Sequence, residues 1–201
     1  MAKIFLNDCS LDLKFPPLES MTDDEFFDFC QQNKDLNIER DENHQILFMA
    51  PVFSEYAFKN ASLNGELYIW NKQHNLGRLG ESSAGFYLPD TSMRSPDASW
   101  ISWERWNALP EKKKTGFACI TPDFVAELAS PCDSIEQLKT KMEKWRSNGA
   151  KLGWLIDPKN ELVFIYRIDG TVSKVSGFDD TLSGEDVLPG FEFDLRILKN
   201  E

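Results

Sequence analysis

Between Asp123 and Asp157 the chain reads strand, helix, strand, and this stretch constrains the fold more than any other. Asp123 to Ala129 is a short apolar run with one carboxylate, Glu127, inside it. Ile135, Leu138, Met142 and Trp145 then recur at three- and four-residue spacing, the single apolar stripe of an amphipathic helix. Asp133 with Glu136 supplies a capping-box signal at its start, and Asn148-Gly149 a stop at its end. Trp154 to Asp157, Leu162 to Arg167 and Thr171 to Val175 read as closing strands. A helix set among strands in this way predicts an α/β domain.

The N-terminal half agrees. Thr22 followed by Glu25 predicts a capped helix through Phe26, Phe27 and Phe29. Leu36 to Arg40 and Gln45 to Met49 read as strands around the turn Asp41 to Asn43, with Pro51 as the exit. Ser54 to Lys72 reads as a helix weakened by Gly65, on the apolar residues Ala57, Phe58, Ala61, Leu67, Ile69 and Trp70. Gly77, Gly80, Gly85 and Pro89 punctuate short strands and turns, and Asp97 to Ser102 alternates as a strand does. Ser102 caps a small helix carrying Trp103 and Trp106, and Glu111 to Thr115 reads as an exposed loop. No repeat, low-complexity tract or linker divides the 201 residues, so a single domain over 1–201 is expected.

Composition narrows the function. A 41% hydrophobic share with 12% aromatics suits a packed globule. No run reaches the roughly 18 apolar residues of a membrane span, and Asp8 stands where a signal peptide would be apolar. Cys9, Cys30, Cys119 and Cys132 are scattered without a CxxC pair, which points to reduced thiols in a cytoplasmic protein and no membrane partner. His44 and His74 have no partner pattern and read as exposed polar residues. No phosphate-cradling glycine loop and no GxSxG elbow occurs. The net charge of −11 weighs against nucleic acid, because Lys and Arg dominate affinity for phosphates. Its distribution is uneven: residues 102–151 hold nine basic and seven acidic residues, +2, which leaves −13 for the remainder.

Two carboxylates carry the chemical argument. Ser95-Pro96-Asp97 enters one core strand, and Glu127 lies near the end of the next, before Ser130-Pro131. Neighbouring strands bring such groups together, and two carboxylates with waters suit Mg²⁺. Each has a plain reading as well: Pro-Asp is turn chemistry, and a Glu in an apolar strand is often an edge residue facing water. Asp123, four residues before Glu127, falls on the same face of the strand but roughly 13 Å away, and reads as a strand-start residue.

The run Arg94-Ser95-Pro96-Asp97-Ala98-Ser99-Trp100 resembles a hallmark of the Uma-two family of endonuclease-like proteins, within the PD-(D/E)xK nuclease superfamily. Pro122-Asp123-Phe124-Val125-Ala126-Glu127-Leu128-Ala129-Ser130-Pro131 and Asn148-Gly149-Ala150-Lys151-Leu152-Gly153-Trp154-Leu155-Ile156-Asp157-Pro158 resemble two more of its motifs. With Glu39-Arg40, Gly85-Phe86-Tyr87-Leu88-Pro89 and the segment Leu182 to Phe191, the similarity runs in order over roughly residues 34–196. The resemblance implies a restriction-endonuclease-like mixed central sheet flanked by helices, with the site on central strands. It further implies Asp97 and Glu127 as ligands for Mg²⁺ or Mn²⁺, Lys141 on the following helix as the catalytic cation, and Glu39 as an upstream acid. DNA is the implied substrate, and a homodimer suits the cutting of both strands.

One departure matters. The superfamily's lysine lies two residues past the second acid, where this chain has Ala129. Lys141 is the natural substitute, and Gln137 one turn before it shares its helix face. Glu39 has an alternative as a surface partner of Arg40. Two readings stay open: a metal-dependent endonuclease, and a catalytically weak or inactive nuclease fold used for binding or oligomerisation, suggested by Ala129 and the charge. DNA and RNA are not separable by sequence.

Overall fold

The computed structural model describes residues 2–6, 9–13, 21–49 and 53–199. In chain order the elements are β1 (Ala2–Leu6), β2 (Cys9–Leu13), α1 (Asp23–Gln32), β3 (Asn37–Arg40), β4 (Ile46–Met49) and α2 (Ser54–His74). There follow β5 (Gly77–Glu81), β6 (Phe86–Tyr87), β7 (Met93–Arg94), β8 (Ala98–Ser102), α3 (Trp103–Ala108) and β9 (Phe124–Leu128). The chain continues through α4 (Ile135–Ser147), β10 (Leu152–Asp157), β11 (Leu162–Arg167), β12 (Val172–Ser176), β13 (Thr181–Ser183) and β14 (Glu192–Asp194). Pro51 and the side chain of Cys9 lie outside the described residues.

The main sheet has six strands in the order β12-β11-β10-β9-β8-β5. Only β9 and β10 run parallel, as they must when a helix, α4, carries the chain back between them. All other pairs in that sheet are antiparallel, so the expected mixed central sheet is present. A smaller sheet, β4-β3-β7-β6, stands beside it.

Strand alternation divides the core. Phe124, Ala126 and Leu128 of β9, with Leu152, Trp154 and Ile156 of β10, pack under Leu63, Leu67 and Trp70 of α2. The intervening residues Val125 and Leu155 face Met142 and Trp145 of α4. Period two along the strands thus sends odd-numbered residues of β9 toward α4, and Glu127 is one of them. Gly153 lets α4 approach closely, since a Cβ there would stand 2.5 Å from the Met142 methyl carbon.

Several local expectations shift. α2 runs unbroken through Gly65 and buries Tyr56, Lys59, Leu63, Leu67 and Trp70, whereas Phe58 and Ile69 face solvent. The apolar residues of that helix are therefore not all core; the three- and four-residue spacing of the buried set decides. Glu111–Lys113 forms one turn of 3-10 helix rather than plain loop. α4 is capped by Ser134, whose hydroxyl accepts from the Gln137 backbone N–H, and not by Asp133. Asp133 instead accepts from the Ser130 N–H at 2.7 Å, closing the turn after β9.

Candidate active site

The turn before β8 and the strand itself place the first acid. β8 pairs antiparallel with β9 in a register that sets Ala98 against Ala126, which brings Asp97 opposite Glu127. Cross-strand neighbours have Cβ atoms about 4.5–5.5 Å apart. The Leu128 backbone N–H donates to Asp97 Oδ2 at 2.7 Å, and the Asn64 amide holds the Asp97 carbonyl at 3.0 Å. Both carboxylates line one cleft of about 350 Å³, together with Glu39, Lys141 and the exposed Asp133.

Lys141 reaches in from α4. Its ammonium is 2.8 Å from Glu39 Oε1, 2.9 Å from Glu127 Oε1 and 3.1 Å from the Ser95 carbonyl. Three donors meet three acceptors, which is all a lysine has. Glu127 Oε1 also accepts from the Trp145 indole at 2.9 Å. Among the described residues, no hydrogen bond reaches Asp97 Oδ1 or Glu127 Oε2. Those two oxygens are the donors the arrangement leaves for a cation.

Electrostatics separates the three acids. Burial pushes the Glu127 carboxyl up to about 7; Lys141 opposes that shift, and the charges of Asp97 and Glu39 add to it. Asp97 is raised for the same leading reason, against the pull of the Leu128 N–H. Glu39 is lowered: burial works against its charge, but Lys141, the Ser95 N–H and Arg94 together outweigh it. Burial also works against the Lys141 ammonium, and the carboxylates of Glu127 and Glu39 leave it above the ordinary lysine value. An ionised Glu39–Lys141 pair beside two acids with raised values is an environment short of positive charge. Perturbed groups gathered in a cleft make it the candidate functional site.

Glu39 does not pair with Arg40 at the surface. Alternation along β3 sends the two side chains to opposite faces. Glu39 is buried with Lys141, Arg94 at 3.1 Å and the Ser95 N–H at 3.0 Å. Arg40 turns toward Asp23, the carbonyls of Met21 and Thr91, and the Phe26 ring. Gln137 is not brought to the cluster. It is exposed at the first turn of α4 and absent from the cleft lining. Helical spacing gives it the azimuth of Lys141, but spacing says nothing of how far each turn stands from the sheet.

The sequence reading missed two contributors. Arg94 opens the Arg94–Trp100 run and anchors Glu39. Trp145, read only as core, is one turn past Lys141 and donates to Glu127; that i,i+4 relation was the available signal. Asp123 stands apart. It precedes β9, buried, with Lys151 at 2.8 Å, Arg105 at 3.0 Å and the Ser102 N–H at 2.9 Å. Among the described residues no group of three or more His, Cys, Asp or Glu side chains is arranged to hold a metal. Any cation would therefore rest on the Asp97–Glu127 pair and on waters, a ligand set that suits Mg²⁺ or Mn²⁺. No helix among the described residues is long and apolar enough to cross a membrane.

Comparison with known proteins agrees with this architecture. A family model described as Uma2, "Putative restriction endonuclease", matches residues 23–196. Among solved structures the chain is similar to one titled "a putative nuclease belonging to DUF820 from Anabaena variabilis". The two are 20% identical with a TM-score of 0.72, over 89% of this chain and 97% of that one. At that identity the likeness establishes a shared fold. No curated protein matches the chain.

Proposed function

The chain belongs to the Uma2 family, and on that premise we propose that it is a metal-dependent endonuclease hydrolysing phosphodiester bonds in DNA. The observation that carries the reading is the cross-strand placement of Asp97 and Glu127 at one cleft, with Lys141 bridging Glu127 and Glu39. Asp97 and Glu127 would hold Mg²⁺ or Mn²⁺ through the oxygens that carry no hydrogen bond. A cation bound there supplies Lewis-acid stabilisation and a more acidic water.

The protein's own groups do the rest. The Leu128 N–H fixes Asp97, and the Trp145 indole fixes Glu127. Lys141 is held protonated by three acceptors, so it offsets negative charge growing on the phosphate rather than taking a proton from water. Glu39 and the Ser95 carbonyl hold that ammonium in place, and Arg94 holds Glu39. Lys141 thereby stands in for the lysine that Ala129 lacks. A homodimer, with two sites for two strands, fits the same reading.

Titration with Mn²⁺ of the wild type beside Asp97→Ala, with plasmid nicking followed in the same samples, tests it. Metal binding and nicking are expected to vanish together in the variant, while its melting stays cooperative. Nicking that survives Asp97→Ala removes these roles. The alternative, an inactive fold kept for binding or oligomerisation, is favoured by Ala129 and by the complete engagement of Lys141. Equal and negligible Mn²⁺ binding in both proteins decides for it.

A further inference from the structure

Beside the carboxylate cleft lies a second hollow of about 430 Å³, walled in part by Arg78, Trp106 and Lys114. It shares Gln31, Ser83 and Phe117 with the cleft, so one depression runs on into the other. The two differ in sign. Four acids, Glu39, Asp97, Glu127 and Asp133, line the cleft against two lysines, Lys34 and Lys141. The second hollow is lined by two cations and no carboxylate. In a chain of net charge −11 that contrast asks for a reason.

The two cations share one aromatic support. The Arg78 guanidinium, on β5, lies 4.5 Å from the centroid of the Trp106 ring on α3, and the Lys114 ammonium lies 5.7 Å from the same ring. Arg78 is exposed, and among the described residues it makes no hydrogen bond or ion pair. Its donor fork is open. Among the described residues, Lys114 makes one ion pair, at 2.7 Å with the exposed Glu111 three residues away, while its own side chain is half-buried against the hollow's wall. Held against an aromatic face, a long cationic side chain has less rotamer freedom left to lose on binding. A guanidinium with unused donors matches a phosphate bidentately.

The occupant must present repeated negative charge at the hollow and also reach the Asp97–Glu127 pair. A sugar–phosphate backbone does both. We propose that this groove is the track for the nucleic-acid strand flanking the scissile phosphate. Arg78 and Lys114 each hold one backbone phosphate, and Trp106 keeps the two cations in position. The inference rests on the nuclease reading, whose strand it extends away from the metal ligands.

The test measures anisotropy of fluorescent single-stranded and duplex oligonucleotides in EDTA, across a salt series. Wild type, Arg78→Ala, Lys114→Ala and Lys174→Ala are compared. Lys174 is exposed on β12, the opposite edge of the sheet, and carries the same charge away from the groove. Arg78→Ala is expected to bind about tenfold more weakly, the scale of one charge-assisted hydrogen bond. Lys114→Ala should lose less, and Lys174→Ala should match the wild type. Each lost phosphate contact should also reduce the salt slope by about 0.7 for single strands or 0.9 for duplex. Equal affinities and slopes for Arg78→Ala and Lys174→Ala overturn the track, as does a wild type that binds no oligonucleotide, which would hand the groove to a protein partner. Plasmid nicking by the same proteins separates this from the reading beneath it. Selective binding without nicking keeps the track and removes the nuclease, whereas nicking and binding untouched by Arg78→Ala do the reverse.

Discussion

Asp123, just before β9, and Glu127, within it, sit four residues apart and both are buried, yet the protein treats them in opposite ways. At the Asp123 end one carboxylate meets Lys151, Arg105 and the Ser102 N–H. Burial raises its value, but those partners outweigh it and hold the group below the ordinary aspartate range. At the Glu127 end stand three acids: Lys141 pairs with both Glu39 and Glu127 and Arg94 pairs with Glu39, while the Asp97 carboxylate accepts from the Leu128 N–H. Two of the three are raised, with burial the leading cause. One end of the strand is settled as folded. The other is short of positive charge, which suits the cation proposed for it. Buried charge by itself therefore does not identify a site; the balance of partners does.

The sharpest way to break this comparison is at Asp97. Asp97→Asn should lower cleavage by about three to four orders of magnitude, the several kcal/mol that a bound metal contributes. It should also abolish the Mn²⁺-dependent rise in melting temperature. In the wild type that rise corresponds to about 2.7 kcal/mol at a hundredfold excess of metal over Kd. Scanning calorimetry with and without Mn²⁺ reads both, and a Mn²⁺ shift preserved in the variant would place the cation elsewhere.

Next is Lys141→Met, which leaves Glu39 and Glu127 buried without their shared partner. A loss of about 3–5 kcal/mol in stability is expected, with activity down about 10²–10³-fold under conditions where the variant is folded. Denaturant unfolding beside single-turnover cleavage separates the two effects. A variant that loses stability but keeps its single-turnover rate would reduce Lys141 to a structural ion pair.

Asp123→Asn is the matched control at the settled end. It should cost on the order of 1–3 kcal/mol by weakening the bonds to Lys151, Arg105 and Ser102. Mn²⁺ affinity and cleavage at 25 °C should not change. A loss of metal binding in this variant would show that the two ends are coupled and the contrast false.

The smallest effects are in pH. A carboxyl lowered in the folded state stabilises above its unfolded value and loses that stability as pH falls through the folded one. Asp123 should thus steepen acid unfolding below about pH 4, and Asp123→Asn should flatten that limb. Glu127 has the opposite sign. Its folded value near 7 lies above the unfolded value, so the metal-free protein should gain stability as pH falls from about 7 toward 4.5. Saturating Mn²⁺ should remove that gain, because an occupied ligand no longer takes the proton. Melting curves across pH with and without Mn²⁺ check both signs.

Much of this was legible locally. The Thr22–Glu25 capping box forms as read, with both reciprocal bonds present. Ser102 caps the short helix of Trp103 and Trp106. The stripe Ile135, Leu138, Met142 and Trp145 lies on one helix, and its last two members are buried against the sheet. These features depend on neighbours within one turn or one hairpin, which is the range over which side-chain chemistry acts on its own backbone. The misplaced cap at Asp133 shows the limit even there: two adjacent residues could cap, and the turn through Ser130 decided which was free to do so.

The sequence by itself determined the α1–β3–β4–α2 order and the strand–helix–strand run from β9 through α4 to β10, since periods of two and 3.6 are properties of the chain alone; it did not announce β1, β2, β13 or β14. It also supplied, through ordered motifs, the identities of Asp97, Glu127 and Lys141. Only the tertiary structure decided what those residues meet. The register of β8 on β9 sets Asp97 opposite Glu127. The height of α4 over the sheet lets Lys141 reach two acids and leaves Gln137 in solvent. The pairing of β3 with β7 and β4 buries Glu39 and turns Arg40 away. Periodicity gives a direction for each side chain; distance comes only from how the elements pack.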